Sequence, residues 1–169
     1  TLNSLGRHEE ALCYKQEALE LRRELLGPKH PDTATSLNNV GFALGALGRY
    51  EEALRYQQEA LELLRELLGL KHPATATSLN NVAHALGSLG RHKEALRYKQ
   101  AALELRIELL GPKHPDTATS LNDMSVTLRA LGRNGEALLF QQAALELRGE
   151  LLGPKPPDTA MSSIRCAVL

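Results

Sequence analysis

The sequence predicts an all-α protein, a solenoid of antiparallel helix pairs stacked one on the next. Three observations carry that reading. A unit that opens HPDTATSLNN at His30 returns as HPATATSLNN at His72 and as HPDTATSLND at His114, a period of 42 residues. Within each unit, apolar and small residues recur in steps of three and four, which lines one face of a helix. Glycine stands where each stripe ends and proline where the next begins. The divisions that follow are a truncated unit holding a second helix only (1–29), three full units (30–71, 72–113 and 114–155), and a partial, divergent unit (156–169).

Taken in order, the first helix of the first full unit should run over about Asp32–Leu47. Its stripe is Ala34, Leu37, Val40, Gly41, Leu44 and Leu47. Pro31 pre-sets the backbone of a first turn, and Asp32 or Thr33 is suited to cap the free amides there. Gly48 stops the helix, because glycine accepts the left-handed conformation that ends one. The second helix should span Tyr50–Leu68, burying Ala53, Leu54, Ala60, Leu61, Leu63 or Leu64, and Leu67. Glu51 and Arg55 lie four apart, in the favourable order for a weak exposed pair. Gly69 ends this helix, and Gly27, Gly111 and Gly153 repeat the stop, each followed within two positions by lysine.

One such hairpin buries too little apolar surface to offset the entropy of ordering its chain. Neighbouring units must therefore share their faces. Small residues at matching places, Gly41/Ala83/Ser125 and Ala53/Ala95/Ala137, set how closely the helices approach. The ends are weaker. Asn134-Gly135 replaces Tyr50-Glu51, Gly149 falls inside a helix, and TAMSSIRCAVL moves its apolar stripe to Ile164 and Val168, with Ser163 where Leu37 stands. Residues 1–5 read as the tail of a first helix, which leaves the helix at 7–26 without its hairpin partner. Self-association or fraying at both ends is the expected result.

The pattern Leu44-x3-Gly48-x-Tyr50-x2-Ala53-x6-Ala60 resembles the tetratricopeptide consensus, whose usual length is 34 residues. The longer unit, with H-P-D-T-A-T-S-L-N-N before its first helix and L-G-P-K-H-P after its second, is similar to kinesin light chain repeats. The resemblance implies a right-handed α-α superhelix whose first helices line a concave groove for an extended peptide or a partner helix. On that alignment the groove positions are Thr35, Asn38, Asn39, Phe42, Gly45 and Ala46, then Thr77, Asn80, Asn81, His84, Gly87 and Ser88. The third unit supplies Thr119, Asn122, Asp123, Val126, Arg129 and Ala130.

Asn38, Asn80 and Asn122 form a ladder of carboxamides, each offering a donor and an acceptor to an extended peptide. Asparagine is a poor helix former, so its place mid-helix needs a reason. The competing reason is a bond across to the adjacent unit. Phe42, His84 and Val126 share one position in successive units and give an apolar wall with one titratable ring. Arg129 is the only basic residue among these inner positions. That disfavours the acidic-peptide preference of kinesin light chains and the carboxylate-clamping, chaperone-binding subclass.

Totals exclude several functions. Lys+Arg and Asp+Glu both number 20, and this neutrality argues against nucleic acid and anionic membranes. The most apolar stretch, residues 61–70, carries Glu62, Arg65 and Glu66, so no segment reads as a membrane span. The chain opens on Thr1 without a signal-peptide pattern, which fits a fragment or processed product. Cys13 and Cys166 sit near opposite ends and read as free thiols of a reducing, cytoplasmic compartment.

His30, His72 and His114 lie one hairpin apart. Two helices per unit would separate them by roughly 20 Å, too far to share a metal ion. They read as loop residues before proline. His8 and His92 take the place of Tyr50 in packing slots. Gly41, Gly45 and Gly48 follow no strand and precede no Lys-Ser or Lys-Thr, so they are no phosphate loop. Glu51, Glu52 and Glu62 read as solvent-facing charges. The expectation is a binding scaffold, with no catalysis, cofactor or metal. Its partner would be a protein or peptide, which the resemblance narrows to kinesin cargo or adaptor binding beside the cytoskeleton. A sensor array of a signalling protein, a helical-repeat RNA binder and a duplicated fragment without a ligand are the alternatives.

Overall fold

The computed structural model describes residues 2–153, which form seven α-helices and, among the described residues, no strand. They are α1 (Leu2–Leu26), α2 (Pro31–Ala46), α3 (Tyr50–Leu68), α4 (Pro73–Ser88), α5 (His92–Leu110), α6 (Pro115–Ala130) and α7 (Asn134–Leu152). α2–α3, α4–α5 and α6–α7 pack as hairpins, and each hairpin meets the one before it through α1–α2, α3–α4 and α5–α6. The divergent segment 156–169, with Ser163, Ile164, Cys166 and Val168, lies outside the described residues.

Each even-numbered helix is held between two others. Leu37, Val40 and Leu44 of α2 pack with Ala53 and Ala60 of α3 and with Leu12 and Leu19 of α1. One unit on, Leu79, Val82 and Leu86 pack with Ala95 and Ala102 and with Leu54 and Leu61 of α3. So α3 gives one edge of its stripe to its own unit and the other to the next. That sharing is what a hairpin too small to stand alone requires. α2 and α4 also touch directly, while no pair of successive odd-numbered helices does so to the same degree. At α2 and α4 the stack is therefore tighter along the even-numbered, inner helices, which line the concave side.

Several local expectations change. His30, His72 and His114 are the N-caps: each ring accepts a hydrogen bond at Nδ1 from the backbone N–H two residues on, at 3.1 Å. Asp32 does not cap the helix, and Thr33 instead ties the loop by donating to the Gly27 carbonyl at 3.0 Å, as Thr75 and Thr117 do to Gly69 and Gly111. The Glu51–Arg55 pair does not form among the described residues. Arg49 grips Glu52 with two bonds of 2.6 Å, a clip repeated at Arg91–Glu94 and Arg133–Glu136. The lysine after the stop glycine reaches the next odd-numbered helix: Lys29 pairs with Glu66, Lys71 with Glu108, and Lys113 with Glu150 at 2.8 Å.

The break expected before residue 7 is absent, and α1 runs through Gly6 from Leu2. Gly48, Gly90 and Gly132 turn with positive φ at the equivalent place, where a preceding inner helix folds back on the outer one. Direct bonds between inner helices, given below, bring successive inner helices to the spacing of packed neighbours, roughly 8–10 Å.

A candidate binding groove on the inner helices

Residues at steps of three and four on α2, α4 and α6 face away from the shared core. Phe42 is 72% exposed and Val126 49%, although both are apolar. His84 and Arg129 are exposed at the same level of the stack, and Asn39 beside them is exposed as well. Asn38, Asn80, Asn81 and Asn122 are half-buried. These residues lie on three successive inner helices, α2, α4 and α6.

The asparagines make bonds between units. Nδ2 of Asn81 donates to Oδ1 of Asn38 at 3.3 Å, and Nδ2 of Asn80 donates to Oδ2 of Asp123 at 3.2 Å. Both link the first position of one Asn-Asn pair to the second position of the next unit. Aspartate at 123 can only accept, so Asn80 must donate there, while Asn38 accepts in the junction before. These contacts are long for amide bonds, and each carboxamide keeps its other end. Asn122 and Asn39 make no side-chain bond among the described residues.

Three further residues enter the groove from the outer helices. Lys15 of α1 holds its Nζ 5.8 Å from the centre of the Phe42 ring, within cation–π range. Gln57 of α3 is buried beneath Gly41. Lys99 of α5 donates to the backbone carbonyl of Asp123 at 3.0 Å. Burial pushes the Lys99 ammonium below its ordinary pKa, and the Asp123 charge opposes the shift. The groove is thus more basic than the inner positions suggest, with Lys15 and Lys99 joining Arg129. Sequence reasoning missed these three because it looked for lining residues on first helices only. The signal was present: Lys15, Gln57 and Lys99 are polar residues recurring 42 apart within an apolar stripe.

Two clefts open between successive inner helices. The first, of about 310 Å³, is bounded by Gly41, Phe42, Gly45, Tyr50, Gln57 and His84. The second, of about 230 Å³, is bounded by His84, His92, Lys99, Val126, Thr127 and Ala130. A larger hollow of about 400 Å³ lies on the outer side against Arg65, Glu94, Arg97 and Tyr98. It is a furrow between exposed outer helices and holds no buried polar atom without a partner, so the inner clefts are the better candidate. Among the described residues no three His, Cys, Asp or Glu side chains converge as a metal site. No described helix is long and apolar enough to cross a membrane. Cys13 is exposed and unpaired among the described residues.

Comparison with known proteins agrees with this architecture. A family profile described as Tetratricopeptide repeat matches residues 1–66, 36–107 and 75–150. The crystal structure of BtubC (BKLC) from P. vanneervenii is similar with a TM-score of 0.80 and 25% identity, over 89% of this chain and 60% of that one. This chain thus spans 60% of the length of that neighbour. The crystal structure of "Podosopora anserina putative kinesin light chain nearly identical TPR-like repeats" gives a TM-score of 0.73 at 20% identity. That match covers 86% of this chain and 69% of that one. A Rap protein complexed with Competence and Sporulation Factor gives 0.74 at 19% identity, over 86% of this chain and 39% of that one. No curated protein sequence matches significantly.

Proposed function

The chain belongs to the tetratricopeptide repeat family, and from that premise we propose that its inner groove binds an extended peptide or a helix of another protein. The observation that carries this reading is the exposed inner stripe. Phe42, His84 and Val126 differ from unit to unit on a frame that otherwise repeats. An apolar ring left 72% exposed on an inner helix gains from being covered. Polar groups beside it can pair with a backbone. The protein acts by holding partners, without catalysis.

The finer reading is cargo or adaptor binding of the kinesin light chain kind, in the cytoplasm beside the cytoskeleton. The H-P-D-T-A-T-S-L-N-N and L-G-P-K-H-P signatures and the superhelical likeness support it. The basic floor residues also remove the objection that the groove carries one arginine only. A second interaction is self-association through the end helices. Leu138 and Leu145 of α7 are 55% and 72% exposed, while Leu54 and Leu61 at the same places in α3 are 6% and 3% exposed under α4.

Selection of displayed random peptides, run on the parent and on a Phe42→Ala, Val126→Ala double variant, tests the groove. Both side chains are exposed, so the variant should keep its helical circular dichroism. A motif enriched on the parent and lost on the variant is expected. A folded parent that enriches nothing, or a motif indifferent to the variant, would overturn the reading.

A further inference from the structure

The floor of the groove changes chemistry from one junction to the next. In the first cleft, Gln57 is only 6% exposed, and its amide oxygen is buried with no hydrogen-bond partner. Gly41 is what lets it lie there. A Cβ at position 41 would stand 2.8 Å from Gln57 Cγ and 3.1 Å from the Ala53 carbonyl oxygen, so Gln57 would have to shift and the α3 backbone to give slightly. The carboxamide can present a donor or an acceptor by turning over. Around it, Phe42, Tyr50 and His84 give largely aromatic walls.

One unit later the equivalent pair is Ala83 and Lys99. Ala83 carries a methyl where Gly41 has none, and the lysine reaches α6 at the Asp123 carbonyl. Lys99 makes one bond, to the Asp123 backbone carbonyl, and an ammonium has three donors. Among the described residues no carboxylate makes an ion pair with it; the Asp123 carboxylate, which accepts from Asn80, acts on it only through its charge. His84, His92 and Thr127 share this cleft. A partly dehydrated cation with unused donors gains from an anion that replaces lost water.

We propose that this outer-helix position sets what the groove reads: a neutral, hydrogen-bonding side chain over Gln57, and a carboxylate over Lys99. The inference rests on the groove being a peptide reader and adds its register. The two clefts lie one inner-helix spacing apart, roughly 8–10 Å. An extended peptide advances about 3.3 Å per residue. The two read positions are therefore about three residues apart on the bound segment. Lys15, two units from Lys99, already engages the Phe42 ring, so the carboxylate preference belongs to the Lys99 junction.

The test is selection of displayed random 12-mers on the parent and on Lys99→Gln, Lys99→Arg and Gln57→Lys variants, each checked for helical content. The parent pool should carry one acidic position and, about three residues away, Ser, Thr, Asn or Gln. Lys99→Gln should lose the acidic preference and keep the neutral one, and Lys99→Arg should retain both. Gln57→Lys should convert the neutral position to an acidic one. On the parent alone, changing the selected Asp or Glu to its amide should weaken binding at least about tenfold; this arm stands even where a variant fails to fold. An acidic preference that survives Lys99→Gln, or a parent pool without one, overturns the register and leaves the groove reading intact. A folded parent that enriches nothing removes both.

Discussion

Ser78 is buried at the start of α4 and its hydroxyl has no hydrogen-bond partner. Its equivalents are satisfied: Arg22 donates to Ser36 Oγ at 2.8 Å and Arg106 to Ser120 Oγ at 2.7 Å. Each arginine also donates to the carbonyl of Asp32 or Asp116. In the unit between, the arginine's place is taken by Leu64, which is buried and apolar. One substitution in an outer helix has thus orphaned a hydroxyl in the next inner helix. Ser78→Ala should be neutral or stabilising by up to about 1 kcal/mol, whereas Ser36→Ala and Ser120→Ala should each cost about 1 kcal/mol. Chemical denaturation of the three variants checks this; an equal loss at all three would show that the hydroxyls matter only through packing. Arg22 and Leu64 were both visible in the aligned units, but the partner that makes the difference matter sits 14 residues away on another helix.

The helices are started and stopped by residues the sequence displays openly, yet the chemistry at the starts was misassigned. For the inner helices a histidine ring takes the role given to Asp32 or Thr33. Proline follows directly, and the extended backbone of His30, with φ of −135° and ψ of 143°, turns Nδ1 onto the second helical amide. For the outer helices no side chain caps the amides, and the Arg49–Glu52 clip secures the first turn instead. Hydrogen bonding from arginine, with its charge acting in the same sense, holds the Glu52, Glu94 and Glu136 carboxyls below their ordinary value of 4.5. Because the folded pKa values are the lower ones, the stabilisation is present above the unfolded value and is lost as pH falls through the folded ones. Thermal midpoints followed from about pH 6 to about pH 3 should therefore drop more steeply for the parent than for a Glu52→Gln, Glu94→Gln, Glu136→Gln variant. The effect should be small and shrink with salt, since these groups are fully exposed. Parallel profiles would mean that the clips add nothing measurable.

Across the whole molecule, each unit is completed by the outer helix before it, so the stack has two unlike ends. At one, Tyr14, Leu21 and Leu25 of α1 are exposed, while Tyr56, Leu63 and Leu67 at the same places in α3 are partly covered. At the other, Leu138 and Leu145 of α7 are uncovered by any described residue. Sedimentation should show mass rising with concentration for the parent, and less so for a Leu138→Lys, Leu145→Lys variant. A parent that stays monomeric at high concentration would overturn self-association through α7. The 42-residue period by itself determined the class of fold and most helix ends, because glycine, proline and apolar spacing act within one unit and need no partner. The resemblance to the tetratricopeptide consensus, not the period, put Asn38, Phe42, His84, Val126 and Arg129 among the groove positions. Only the tertiary structure decided that the asparagines bond between units, and that Lys15, Gln57 and Lys99 rise into the groove. A repeat identifies which residues are equivalent, but which residues of different helices converge depends on the angle and distance at which those helices pack.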